Sequence, residues 1–95
     1  YIGNSYLYLK DYSNAINYYE KGIEINSNDC DILNNYGVAL AKINKIEEAK
    51  KYFNKALKIN SKHKTAKYNI DNLNSLNIEG LCIEDSMVNL LKTII

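Results

Sequence analysis

Residues 33–61 read LNNYGVALAKINKIEEAKKYFNKALKINS. Apolar and small residues recur in this stretch mostly at steps of three and four, the spacing of one face of an α-helix. Leu33, Tyr36, Gly37, Leu40 and Ile43 make one stripe. Ile46, Ala49, Phe53, Ala56, Leu57 and Ile59 make a second, after a break at Asn44–Lys45. Two helices this short cannot bury both stripes against each other, so the rest of the chain must supply neighbours.

Working outward, the sequence matches itself when shifted by 34 residues. Gly3 then falls on Gly37, Ala15 on Ala49, Tyr19 on Phe53, Gly22 on Ala56, Ile25 on Ile59 and Ser27 on Ser61. Lys21 and Glu24 fall on Lys55 and Lys58, so the surface drifts while the packing positions hold. A first helix runs from at or before Tyr1 to about Leu9, and a turn spans Lys10–Tyr12. Asp11 or Ser13 then caps a second helix that extends to about Asn26. Ser27–Asp29 and Ser61–Lys64 are polar breaks. A third amphipathic stretch, Lys64–Leu76, carries Ala66, Ile70, Leu73 and Leu76. Asn77–Gly80 reads as a turn, with Gly80 free to adopt positive φ. Leu81–Ile95 reads as a last helix with Ile83, Met87, Leu90, Leu91 and Ile94 in frame.

Composition agrees with an all-α fold. The 95 residues include no Pro, no Trp and four Gly, and 46% are hydrophobic. Breakers are scarce and there is apolar surface enough for a core. Net charge is +1, and no Arg is present, so no global field selects an anionic partner. The wealth of Asn, Lys, Ile and Tyr is the bias of AT-rich codons, which discounts part of the asparagine content. No apolar run approaches the roughly 18 residues of a membrane span. Tyr1 already lies inside a helical pattern, so the start of the protein is expected upstream. Cys30 and Cys82 have no metal-ligand spacing, and the expectation is two structural thiols in a reducing, cytoplasmic setting.

Period and residues together resemble the tetratricopeptide repeat. The second copy shows Leu33-x2-Tyr36-Gly37-x2-Leu40, then Ala49-x3-Phe53, then Ala56, with Ser61 in the usual proline place. The first shows Ile2-Gly3-x2-Tyr6, then Ala15-x3-Tyr19, then Gly22, with Ser27 in that place. The resemblance covers 1–61 and is degenerate over 62–95, where Asp71 replaces the glycine, Asn74 the tyrosine, and Ile83 and Leu90 the small residues. It implies a right-handed solenoid of antiparallel helix pairs in one domain of about three repeats. Repeat 1 is 1–29 and truncated, repeat 2 is 30–63, and 64–95 is a degenerate repeat or a pair of capping helices. Gly3 and Gly37 with Ala15 and Ala49 are expected at the close approach of paired helices, and Tyr19 and Phe53 between successive pairs.

The resemblance implies a non-catalytic protein-interaction module whose first helices line a concave groove for a partner's peptide segment. By register the groove residues are Asn4, Leu7, Tyr8, Asn34, Asn35, Val38, Lys42, Tyr68, Asn69 and Asn72, with Ala41 beside them. Asparagine suits the task because its amide both donates to and accepts from a peptide main chain. Some members clamp a terminal carboxylate. Asn4 and Asn35 match the two amide places of that clamp, but Thr65 and Asn69 stand where basic residues belong. The alternative is an architectural or self-associating segment of a longer array. There the helix 81–95 would offer Met87, Val88, Leu91 and Ile95 to another chain or to a groove.

Nothing points to catalysis, a cofactor or a metal. His63 is expected as a solvated loop residue, and Glu47–Glu48 open a helix, where carboxylates favour the dipole. Nine lysines lie between Lys42 and Lys67. Lys51, Lys55, Lys58 and Lys62 recur along one helix face, which reads as a solvated convex surface. Without arginine for bidentate contacts, nucleic acid is the least favoured partner.

Overall fold

The computed structural model describes residues 2–84. Five helices follow one another: α1 (Ile2–Tyr8), α2 (Tyr12–Ile25), α3 (Cys30–Lys42), α4 (Ile46–Ile59) and α5 (Lys64–Asn74). Each packs mainly on its sequence neighbours, so the fold is all-α and built from stacked helix pairs. Asp11, not Ser13, caps α2 by accepting from the Asn14 N–H at 3.3 Å. Asp29 caps α3 by accepting from the Asp31 and Ile32 N–H groups at 3.0 and 3.2 Å.

The small positions act as the spacing suggests, with one refinement. A Cβ built on Gly37 would lie 2.7 Å from Phe53 Cε1, and one on Gly3 would lie 2.6 Å from Tyr19 Cε1. Each ring therefore lies flat on the glycine of its own helix pair, instead of filling only the gap to the next. Ala15, Ala49, Ala56 and Phe53 have no exposed surface, and Tyr19 has almost none. Within the second pair, the rings of Tyr36 on α3 and Tyr52 on α4 meet edge to face with centroids 4.6 Å apart. Burial and the nearby Glu20 carboxylate push the Tyr36 phenol up to about 12, so it stays neutral at ordinary pH.

Helices α1, α3 and α5 end in the same way. Lys10, Asn44 and Leu76 have φ of 61°, 68° and 58°. The next N–H turns back to a carbonyl five residues earlier: Asp11 to Tyr6 at 2.9 Å, Lys45 to Leu40 at 2.9 Å, and Asn77 to Asn72 at 2.8 Å. This is the left-handed Schellman ending, normally a glycine position. Leu76 is strained there and 75% exposed. Leu76→Gly should therefore raise stability by about 1 kcal/mol, the left-handed penalty less the extra entropy of an unfolded glycine. A higher urea midpoint at unchanged slope would show it.

The chain beyond α5 departs from the expected repeat. Gly80 has no positive φ and closes a short 3-10 turn, Ile78–Gly80. The expected helix from Leu81 is absent over Leu81–Glu84, which has no regular secondary structure and starts extended at Leu81, with φ −70° and ψ 138°. Its remaining residues, Met87, Val88, Leu90, Leu91, Ile94 and Ile95 among them, lie outside the described part. The physical reason is visible in α5. Asp71 puts a side chain where Gly3 and Gly37 leave room for a ring. Asn74 and Ser75 also replace the apolar Leu40 and Ala41, and α5 stops two residues short of the frame set by α3. The segment folds back instead, and Ile78, Leu81 and Ile83 pack against the core.

Candidate functional site

The first helices α1, α3 and α5 stand side by side, and their inner faces bring Asn4, Asn34, Asn35 and Asn69 together. Four asparagines at 0–1% exposure are unusual, because an unpaired buried amide is costly. All are paired. Asn69 Nδ2 donates to Asn34 Oδ1 at 2.8 Å, Asn34 Nδ2 to Asn35 Oδ1 at 3.1 Å, and Asn35 Nδ2 to Asn4 Oδ1 at 3.1 Å. The Tyr19 hydroxyl also donates to Asn4 Oδ1. The result is a row of amides running across three successive first helices.

The row is covered by the extended segment Leu81–Glu84. Asn69 accepts from the Cys82 N–H at 2.8 Å and donates to the Cys82 carbonyl at 2.6 Å. Asn35 accepts from the Glu84 N–H at 2.7 Å and donates to the Glu84 carbonyl at 2.8 Å. Asn35 and Asn69 are 34 residues apart, hence equivalent in the repeat, and they grip alternate residues in the same bidentate way. Asn34 adds a donor to the Cys82 carbonyl at 3.2 Å, and Asn4 one to the Glu84 carbonyl at 2.9 Å. Lys42 Nζ donates to the Ile78 carbonyl at 3.3 Å. Every contact is to main chain, so the row holds extended backbone whatever its side chains.

The other expected groove residues take different places. Val38 is in the core and Leu7 is half-buried against it. Tyr8 and Tyr68 are 58% and 51% exposed. Asn72 serves its own turn, donating to the Tyr68 carbonyl and accepting from Asn77, each at 3.0 Å. The two places that a carboxylate clamp fills with cations hold neutral Thr65 and Asn69. The Thr65 hydroxyl donates to the Glu84 carboxylate.

His63 is not the solvated residue that its loop position suggests. Its side chain is 9% exposed. Nδ1 caps α5 by accepting from the Ala66 N–H at 3.1 Å, which leaves the Nε2 proton to donate to Asp31 at 2.8 Å. The usual cap residues are Ser, Thr, Asp and Asn, so nothing in the local sequence marked this histidine. Asp31, His63 and Glu84 bring one ligand-capable atom each within 4.8 Å of one another. Both ring nitrogens of His63 are nonetheless committed to protein bonds.

Two helix pairs at a period of 34 carry small residues under aromatic rings. Tetratricopeptide repeat family profiles match residues 1–29 and 30–63. The chain belongs to the tetratricopeptide repeat family. Among curated proteins, sperm-associated antigen 1 of Rattus norvegicus is similar, 38% identical over 69 residues. The match takes in 73% of this chain but only 8% of that protein. Tetratricopeptide repeats are protein-interaction modules, and the amide row lies on the face shared by the first helices α1, α3 and α5. Among the described residues no helix is long and apolar enough to cross a membrane.

Proposed function

We propose that this tetratricopeptide repeat chain is a non-catalytic interaction module that takes an extended segment of a partner protein along its concave face. One observation carries the reading: four buried asparagines spend their amides on the main chain of an extended segment. Such a surface accepts any backbone of the right shape, with Leu7, Tyr8, Lys42 and Tyr68 grading the side chains around it, whereas Val38 packs in the core and Asn72 holds its own turn. The alternative is an architectural or self-associating segment of a longer array, whose contact residues Met87, Val88, Leu91 and Ile95 lie outside the described residues. The exposed lysines 51, 55, 58 and 62 act as a solvated outer face in this reading. A reducing compartment such as the cytoplasm suits the free thiols of Cys30 and Cys82.

Selection of random heptapeptides against the whole chain tests the proposal. Selected peptides should shift the side-chain amide resonances of Asn4, Asn35 and Asn69, and should bind Asn35→Ala at least ten-fold more weakly. Peptides that shift only the Lys51–Lys62 face would move the function there and sink the groove reading.

A further inference from the structure

The groove as a peptide site, on which this inference rests, already has an occupant. Leu81–Glu84 is not a helix, a strand of a sheet or a loop in solvent. It is held through both main-chain atoms of every second residue, as an incoming ligand would be. Its side chains alternate accordingly. Leu81 and Ile83 pack against the core, and Cys82 is exposed. The Glu84 carboxylate meets the Thr65 hydroxyl and lies in the cluster with His63 and Asp31. We propose that Leu81–Glu84 is an internal stand-in for the partner: the groove takes an extended segment of the pattern apolar–any–apolar–acidic, and the partner enters by displacing the chain's own copy.

The chemistry supports displacement over permanent closure. Bonds to asparagine amides are sequence-independent, so an external backbone replaces them one for one. Among the described residues, the strongly selective contacts are the two apolar side chains and the acidic end. The tether is the short turn after α5, which gives the internal copy an effective concentration on the order of millimolar. A partner's apparent affinity falls by the fraction of grooves left open. Weak external segments are thereby excluded, and those with a better fit at the two apolar positions and the acidic position are admitted.

The probe is the blocked synthetic peptide acetyl-Ile-Glu-Gly-Leu-Ser-Ile-Glu-amide, the sequence of residues 78–84 with serine for Cys82. Cys82→Pro removes the N–H that Asn69 accepts and leaves α1–α5 untouched, as unchanged helical circular dichroism would verify. The peptide should bind Cys82→Pro at least ten-fold more tightly than the unaltered chain, and adding Asn69→Ala should abolish the gain. Replacing its leucine and isoleucine by serine should cost at least ten-fold in affinity. Equal affinity for both chains would overturn the internal occupant and leave the groove reading standing. Opened Asn35 and Asn69 amides that ignore this peptide yet bind library-selected ones would overturn the proposed pattern alone. The unaltered chain supplies a second readout that needs no variant. Saturating peptide should speed hydrogen exchange at the Cys82 and Glu84 amides, and unchanged protection with peptide bound would overturn the proposal.

Discussion

Phe53→Ala should destabilise the chain by about 3–5 kcal/mol, the range for removing a fully buried aromatic ring. The ring has no exposed surface and lies on Gly37 where α3 and α4 approach most closely. Its loss leaves a void that the flanking Ala49 and Ala56 are too small to fill. The same geometry makes Gly37 and Phe53 one unit. Gly37→Ala alone places a Cβ 2.7 Å from the ring. That overpacking costs about 1–3 kcal/mol, less the roughly 0.5–1 kcal/mol that alanine returns in helix propensity. In Gly37→Ala/Phe53→Ala the clash is gone, so the pair should cost less than the sum of the singles. A urea-denaturation cycle measures this directly. Additive losses would mean that the ring and the glycine do not meet.

Asn35→Asp is isosteric, yet it should detach Leu81–Glu84 from the groove. The amide Nδ2 donates to the Glu84 carbonyl at 2.8 Å and to Asn4 Oδ1 at 3.1 Å, and a carboxylate oxygen there would face two acceptors. The side chain has no exposed surface, so the new charge would also be stripped of water. Together these cost about 3 kcal/mol or more if nothing moves. Release of the segment lets water reach the carboxylate, which limits the loss in global stability and concentrates it locally. Hydrogen exchange at the Cys82 and Glu84 amides should then quicken by roughly a hundred-fold, the equivalent of about 2.7 kcal/mol. Asn54→Asp, on the exposed side of α4, carries the same charge change and should leave those amides protected. Protection that survives Asn35→Asp would show that the amide row does not hold the segment.

The helix pairs were legible because small and aromatic residues repeat at one offset, and a close helix approach leaves few other residues that fit. Asn35 and Asn69 were legible as inward-facing through register alone. Their complete burial was not, because what covers them is a segment that the helical spacing of Ile83, Met87, Leu90, Leu91 and Ile94 assigned to a helix. The alternation of Leu81 and Ile83 was a short strand signal inside that longer pattern. Asp71 was the more decisive residue. Noted only as a departure from glycine, it fills the place where Gly3 and Gly37 receive a ring, and Leu81–Glu84 after it is not helical. His63 escaped because its role as a cap depends on a ring nitrogen, not on the short oxygen side chains that usually mark helix starts.

The two equivalent asparagines also set a gear ratio. Thirty-four residues of scaffold separate Asn35 from Asn69, while two residues separate Glu84 from Cys82, which they hold. Travel is reversed, since the later repeat holds the earlier residue. A row of this kind is a ruler with a fixed tooth pitch: each added repeat bearing an asparagine at this position reads two more residues of an antiparallel guest. If the proposed groove takes a guest in this way, the length of segment it recognises is set by counting repeats, not by evolving new pockets.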